Sequence, residues 1–184
     1  GDGAASILVS KSNSFFAANF FTDGSGGEHI IIPAGGSRIP VSDSTGIAQE
    51  YEESNWRSQN DLYMNGSEVT SFALEVVPKL IDDLLIDINW SKAALDCVLL
   101  HQASSMLIKN IIKKIGVSED IVPIHLKNFG NTSSASIPLA FVEEYQFLDR
   151  RPKHLLAAGF GVGLSASALV MDVSTCQIVP TSMI

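Results

Sequence analysis

The fold class of this chain follows from one segment, Leu95-Asp96-Cys97-Val98-Leu99-Leu100-His101-Gln102-Ala103-Ser104-Ser105. Residues 95–100 form a short run that is apolar except for Asp96, which is typical of a strand that is covered on both faces. Ser104 and Ser105 offer N-caps to a following helix, and Gly116 is a natural stop for it. The apolar residues between these caps recur at helical spacing: Leu107, Ile108, Ile111, Ile112 and Ile115. A buried strand followed by an amphipathic helix predicts a layered α/β domain.

The rest of the chain continues this alternation. Further strands are predicted at residues 4–10, 28–32, 121–125, 155–159 and 164–173, and a long polar loop at 33–60. A helical apolar stripe runs from Val69 to Leu85 and stays in phase across Pro78, which should bend that helix. Ser133 or Ser134 can cap another helix that reaches about Phe147.

Composition excludes several classes of protein. Apolar residues make up 46% of the 184 residues, but no run approaches the ~18 apolar residues of a membrane span. The net charge of −8 argues against nonspecific nucleic-acid binding. Cys97 and Cys176 have no close pairing motif, which suits a reducing cytoplasm, and Cys97 is best interpreted as a small buried hydrophobe. The histidines lack ligand spacing, so we expect no metal site.

Two nitrogen-bearing side chains stand at the ends of predicted elements. His101 ends a buried strand just before a helix, so burial and the helix dipole should both lower its pKa and keep the imidazole neutral. Asn131 carries a permanently neutral amide, which Gly130 places at a tight turn. Two such donors that converge on one oxygen would stabilise negative charge there. From spacing alone, a satisfied buried histidine and an ordinary turn asparagine stay open as alternatives.

A resemblance narrows these alternatives. Five strings occur in order: Gly1-Asp2-Gly3-Ala4, Met64-Asn65-Gly66-Ser67-Glu68-Val69, His101-Gln102-Ala103, Gly130-Asn131-Thr132-Ser133-Ser134-Ala135-Ser136-Ile137-Pro138 and Gly159-Phe160-Gly161-Val162-Gly163-Leu164. Each is weak alone, but together they resemble the C-terminal half of the beta-ketoacyl-acyl-carrier-protein synthase III family, in the thiolase-like superfamily. The resemblance runs from Gly1 to about Val173, nearly the whole chain.

The resemblance implies a fold and an assembly. The fold is one thiolase-like half, a five-stranded mixed sheet layered with α-helices, and residues 1–184 form a single C-terminal domain. The family's catalytic cysteine lies in the N-terminal half, which is absent here, and the abrupt start at Gly1 suggests a truncated or split protein. We therefore expect the chain alone to be inactive, to need its N-terminal half as partner, and to belong to a cytoplasmic homodimer when full length.

The resemblance also assigns roles. His101 and Asn131 match the family's catalytic His and Asn, which stabilise the enolate formed when a malonyl thioester loses carbon dioxide. Gly163 matches the position whose backbone N–H joins that of the cysteine in binding the acyl oxyanion. No cofactor is implied, because acyl-CoA and malonyl-ACP or malonyl-CoA are the substrates.

Two positions depart from the family pattern. The family usually has Asn where this chain has Ser104 and often has Arg where it has Met106. The basic residue commonly helps to dock the carrier protein, so the acyl partner could be unusual, or coenzyme A. Lys109, Lys113 and Lys114, on one predicted helix, could supply the positive charge instead; a solvated helix face is the alternative interpretation.

Three functions are consistent with these residues. The first is a condensing enzyme that joins an acyl thioester to a malonyl thioester by decarboxylative Claisen condensation. The second is an acyltransferase of the same superfamily that uses an amine or alcohol, for which Asn131 would matter less than His101. The third is a noncatalytic subunit that completes a partner's fold. Retention of both His101 and Asn131 favours the first, since a decayed partner usually loses one of them.

Overall fold

The structure is a computed structural model that describes residues 2–11, 13–52 and 54–182. Its strands and α-helices, in chain order, are β1 (Phe16–Thr22), β2 (Ile30–Ile31), β3 (Gln49–Glu52), β4 (Asn55–Arg57), β5 (Tyr63–Met64), α1 (Gly66–Asp87), β6 (Cys97–Leu100), α2 (Ser105–Ile115), α3 (Leu126–Phe129), α4 (Ser136–Tyr145), β7 (Leu155–Gly161) and β8 (Ser165–Met171).

The chain divides into two compact units. The first comprises the chain up to Phe21, Phe72–Phe160 and the residues from Ala166 onward. The second comprises Thr22–Ser71 and Gly161–Ser165. Almost all of the large sheet and its covering helices belong to the first unit, and the short strands β2 to β5 belong to the second.

The sheet of the first unit has the strand order β1-β8-β7-β6. Strands β6 and β7 pair in parallel, with Cys97 opposite Leu155 and Leu100 opposite Ala158. Strands β7 and β8 are neighbours joined by residues 162–164 alone, a link that only an antiparallel pair permits. The sheet is therefore mixed, as expected for an α/β domain.

The strand count differs from the predicted five, because the main sheet has four strands in the described part of the chain. Residues 4–10 are exposed and form no strand, because no strand among the described residues pairs with them to complete a ladder. Residues 121–125 were also predicted as a strand, but the Pro123 carbonyl and the His125 N–H bond to the Gln102 side chain instead. Strand β1 was not predicted.

Side chains of the buried strand β6 point alternately into two cores. Val98 and Leu100 join the larger core, which α1 and α2 cover, while Cys97 and Leu99 join a smaller one beside α4. All four residues of β6 are buried, so the prediction of a strand covered on both faces is confirmed. The strand ends at Leu100, and His101 is the next residue.

The ends of α2 follow the predicted capping residues. The Ser104 hydroxyl accepts a hydrogen bond from the Leu107 N–H at 3.2 Å, and Gly116 adopts the left-handed conformation (φ 70°) that closes the helix. Helix α1 runs through Pro78 without interruption. For α4 the prediction was wrong, because neither Ser133 nor Ser134 caps it. Ser133 has φ 53° and opens a short 3₁₀ turn, so the α-helix begins only at Ser136.

The second unit consists of short antiparallel pairs. Strand β2 pairs with β5, and β3 pairs with β4 inside the region that was predicted to be a loop. The guanidinium of Arg57 lies over two aromatic rings, 5.5 Å from the centre of Tyr51 and 5.1 Å from that of Tyr63. Among the helices of the described residues, none has the length and hydropathy that a membrane span requires.

Candidate active site

His101 occupies a half-buried position at the carboxyl end of β6. Its backbone N–H continues the sheet ladder by donating to the Ala158 carbonyl at 2.9 Å. Its ring meets the Phe160 ring edge to face, with 5.2 Å between the ring centres. Burial lowers the pKa of His101 below its usual value, because the imidazolium loses more hydration than the neutral ring does. The expected neutral imidazole is thus favoured, and burial is its cause.

The Ser136 hydroxyl holds the ring of His101 from one side. Its Oγ lies 2.7 Å from His101 Nδ1, and the same Oγ accepts a hydrogen bond from the Gln102 backbone N–H at 3.2 Å. Ser136 is the first residue of α4 and only 2% of its surface is exposed. A hydrogen-bonded Nδ1 leaves Nε2 as the ring nitrogen able to act on a substrate.

The Gln102 side chain anchors residues 123–125 to the end of β6. Its side-chain Nε2 donates to the Leu100 carbonyl at 2.8 Å and to the Pro123 carbonyl at 3.4 Å, while its Oε1 accepts from the His125 N–H at 3.0 Å. The ring of His125 in turn lies 3.0 Å from a carboxylate oxygen of Glu144 on α4. These bonds fix the segment before α3 to the end of β6.

Asn131 lies in the turn between α3 and α4, on an exposed position. Gly130 precedes it with φ 65° and ψ −157°, a conformation that only glycine adopts readily. The side-chain Oδ1 of Asn131 accepts a hydrogen bond from the Ser133 N–H at 2.9 Å, which orients the amide. This bond fixes the orientation of the Asn131 amide, and its role as a donor to substrate stays a prediction.

The structure connects His101 to the segment that carries Asn131 through Ser136. Asn131 and Ser136 belong to the same continuous turn into α4, and Ser136 bonds directly to the His101 ring. That the His101 and Asn131 side chains face one cavity stays a prediction.

The remaining predicted site residues are Gly163 and three lysines of α2. Gly163 belongs to the second unit, where it has φ 141°, and an added Cβ would collide with the Ser165 hydroxyl. Only glycine fits that turn, and the role of its N–H stays a prediction. Lys109, Lys113 and Lys114 are all exposed on α2, on the side opposite to its buried residues.

Cys97 does not suit nucleophilic catalysis. Cys97 is completely buried, and burial raises the pKa of its thiol to about 11, with a hydrogen bond to Tyr145 nearby. A thiol of that pKa is protonated at neutral pH and therefore a poor nucleophile. Cys176 is exposed near the C-terminus. In the part of the chain that the structure describes, no three His, Cys, Asp or Glu residues are grouped so as to hold a metal ion.

Comparison with known proteins shows which family this chain resembles. Residues 85–173 match the model of the 3-oxoacyl-[acyl-carrier-protein] synthase III C terminal. The beta-ketoacyl-[acyl-carrier-protein] synthase III of Clostridium acetobutylicum is 32% identical over 174 residues, which are 93% of this chain and 50% of that protein. The chain is similar to the ketoacyl synthase III family over nearly its whole length. It corresponds to the C-terminal half, and it spans about half the length of these relatives.

Other relatives and solved structures agree. The chloroplastic synthase III B of Cuphea wrightii is 35% identical, over 92% of this chain and 44% of that protein. The crystal structure of a 3-oxoacyl-(acyl-carrier protein) synthase from Burkholderia xenovorans superposes with a TM-score of 0.79 and 32% identity, over 94% of this chain and 48% of that chain. The thiolase-like fold expected from the sequence is thereby confirmed.

Sequence reasoning missed two residues that contact the imidazole. Ser136 and Phe160 both lie inside strings that carried the resemblance, but no role was assigned to either. The sequence held one signal for Ser136, because it stands four residues before Ala140 on the buried stripe of α4. A serine on a buried stripe needs a polar partner. It does not reveal which one, since His101 is 35 residues away in the chain.

Proposed function

We propose that the protein containing this chain is a condensing enzyme, which joins an acyl thioester to a malonyl thioester by decarboxylative Claisen condensation in fatty-acid or polyketide-type synthesis. The observation that supports this most directly is the half-buried, neutral imidazole of His101, whose Nδ1 is occupied by Ser136. A neutral imidazole with Nδ1 occupied presents Nε2 as a hydrogen-bond donor rather than as a charge.

The reaction needs such donors at one oxygen. When the malonyl group loses carbon dioxide, the electron pair of the broken C–C bond moves onto the thioester oxygen and forms an enolate. His101 Nε2–H and the Asn131 amide would donate to that oxygen, each lowering the barrier by about 3–4 kcal/mol. Neither donor carries a formal charge, so the negative oxygen is stabilised without a trapped ion pair.

The acyl group would be held as a thioester on a cysteine of the N-terminal half, which this chain does not span. The enolate carbon attacks the acyl carbonyl, a new C–C bond forms, and the C–S bond to the cysteine breaks as the thiolate leaves. The Gly163 N–H would bind the oxyanion of the intermediate together with the N–H of that cysteine. Since Cys97 is buried and protonated, we expect this chain to be inactive without the other half.

The carrier of the malonyl group would dock on α2. Lys109, Lys113 and Lys114 expose three positive charges on a chain whose net charge is −8, and acyl carrier protein would supply the complementary negative surface. Met106 is 68% exposed on the same helix, where the family often has a basic residue. Docking would therefore depend on the lysines further along α2, with coenzyme A thioesters as the alternative substrates. We also propose that the full-length protein is a cytoplasmic homodimer.

The test is to supply the full-length protein with acetyl-CoA and either malonyl-ACP or malonyl-CoA, and to identify the products. We expect a β-ketoacyl thioester and carbon dioxide, with about 10²–10³-fold lower rate in His101→Ala and an unchanged rate in the matched variant His29→Ala. Acylation of an added amine or alcohol without carbon dioxide release would show an acyltransferase. No turnover with any acceptor would show a noncatalytic partner subunit.

A further inference from the structure

The Ser136 hydroxyl faces two neighbours, and the protons can be counted. A hydroxyl has one proton to donate and two lone pairs that accept. The Gln102 backbone N–H, 3.2 Å away, can only donate and so occupies one lone pair. The second neighbour is His101 Nδ1 at 2.7 Å, which donates or accepts according to its tautomer.

Only one tautomer satisfies the Ser136 hydroxyl together with both of its neighbours. If Nδ1 carried the ring proton, Ser136 would accept from both neighbours and its own proton would need a third partner. Within the described residues the hydroxyl has no third partner, and Ser136 is 98% buried from solvent, with 2% of its surface exposed. Burying a donor without an acceptor is unfavourable. If Ser136 instead donates to Nδ1, the hydroxyl, the Gln102 N–H and Nδ1 are all satisfied.

We propose that Ser136 is a positioning residue that fixes His101 as the tautomer with its proton on Nε2. This deepens the proposed function and rests on it for its catalytic meaning. With Nε2–H permanently formed, His101 donates to the enolate oxygen without first exchanging a proton. The same tautomer leaves Nε2 no lone pair, so His101 cannot remove a proton from an incoming amine or alcohol through that nitrogen. Ser136 thus favours condensation over general-base acyl transfer.

Nitrogen NMR measures the tautomer directly. In the full-length protein labelled with ¹⁵N-histidine, at pH 7.5, two-bond correlations distinguish a protonated from an unprotonated ring nitrogen, and His101→Gln assigns the signals. We expect protonated Nε2 and unprotonated Nδ1. In Ser136→Asp, where the carboxylate only accepts, the Nδ1 of His101 should become protonated. The matched control is Ser134→Ala, an exposed serine of the same segment, which should leave the tautomer unchanged.

Kinetics supply the second readout. Ser136→Ala should lower kcat for condensation by about threefold to tenfold, as expected for one lost hydrogen bond, with little change in KM. Because alanine is smaller than serine, Ser136→Ala should fold even if Ser136→Asp does not. A protonated Nδ1 in the wild-type protein would overturn the proposal. An unchanged kcat in the Ser136→Ala variant would overturn it as well. If the tautomer is as stated but no condensation occurs, only the proposed function fails.

Discussion

Replacing Gln102 with leucine tests how the end of β6 is held. The leucine side chain fills a similar volume but removes three hydrogen bonds, to the Leu100 carbonyl, the Pro123 carbonyl and the His125 N–H. The bond to Pro123 is long at 3.4 Å and contributes little, so two bonds of 2.8 and 3.0 Å decide the cost.

The magnitude follows from burial. Each buried backbone group left without a partner costs about 1–3 kcal/mol. His125 is half-buried, so water can replace part of its bond, and we expect Gln102→Leu to lower the free energy of unfolding by about 2–4 kcal/mol. Urea unfolding followed by circular dichroism measures this as a lower midpoint at unchanged slope.

The matched control is Gln177→Leu, at an exposed glutamine, which should change the free energy of unfolding by less than about 0.5 kcal/mol. If Gln102→Leu were as stable as this control, the Gln102 amide would not anchor residues 123–125. Its hydrogen bonds would then not explain why residues 121–125 form no strand.

Three further outcomes are expected. Burial holds the pKa of His101 below its value in the unfolded chain, so the unfolded chain binds more protons as the pH falls through this range. The free energy of unfolding should therefore be highest above about pH 6.5 and should decrease below it. Unfolding measured as a function of pH should show a smaller decrease for His101→Gln, and an identical decrease would contradict this. Ile111→Ala, at a completely buried position, should cost about 2–5 kcal/mol in urea unfolding, against less than about 0.5 kcal/mol for Met106→Ala, which is 68% exposed; equal costs would contradict the core assignment. The isolated chain should self-associate, because Ile7, Leu8 and Val9 are 74, 97 and 85% exposed; a monomer at high concentration by light scattering, without dye binding, would contradict it.

The sequence predicted elements well where local rules are strong. Strand β6 and helix α2 follow from an apolar run, a serine cap and a terminal glycine, and each of these is a local property. The sequence failed where a distant partner decides. Residues 4–10 have strand composition, but composition does not supply the neighbouring strand that a ladder needs.

The same distinction applies to the candidate site. His101 and Asn131 could be proposed from their places at element ends and from the resemblance. The groups that orient them could not, because Ser136 reaches His101 across 35 positions and Gln102 reaches His125 across 23. Periodicity reports which face of an element is buried, but it does not report which polar groups meet there.

The most direct test of the central claim is the condensation rate of Asn131→Ala in the full-length protein. Both donors should act on the enolate, so we expect decarboxylative condensation to fall by about 10²–10³-fold. Asn128→Ala, an exposed asparagine in the same segment, should retain the wild-type rate. Condensation at the full rate in Asn131→Ala would contradict the claim that His101 and Asn131 together stabilise the enolate.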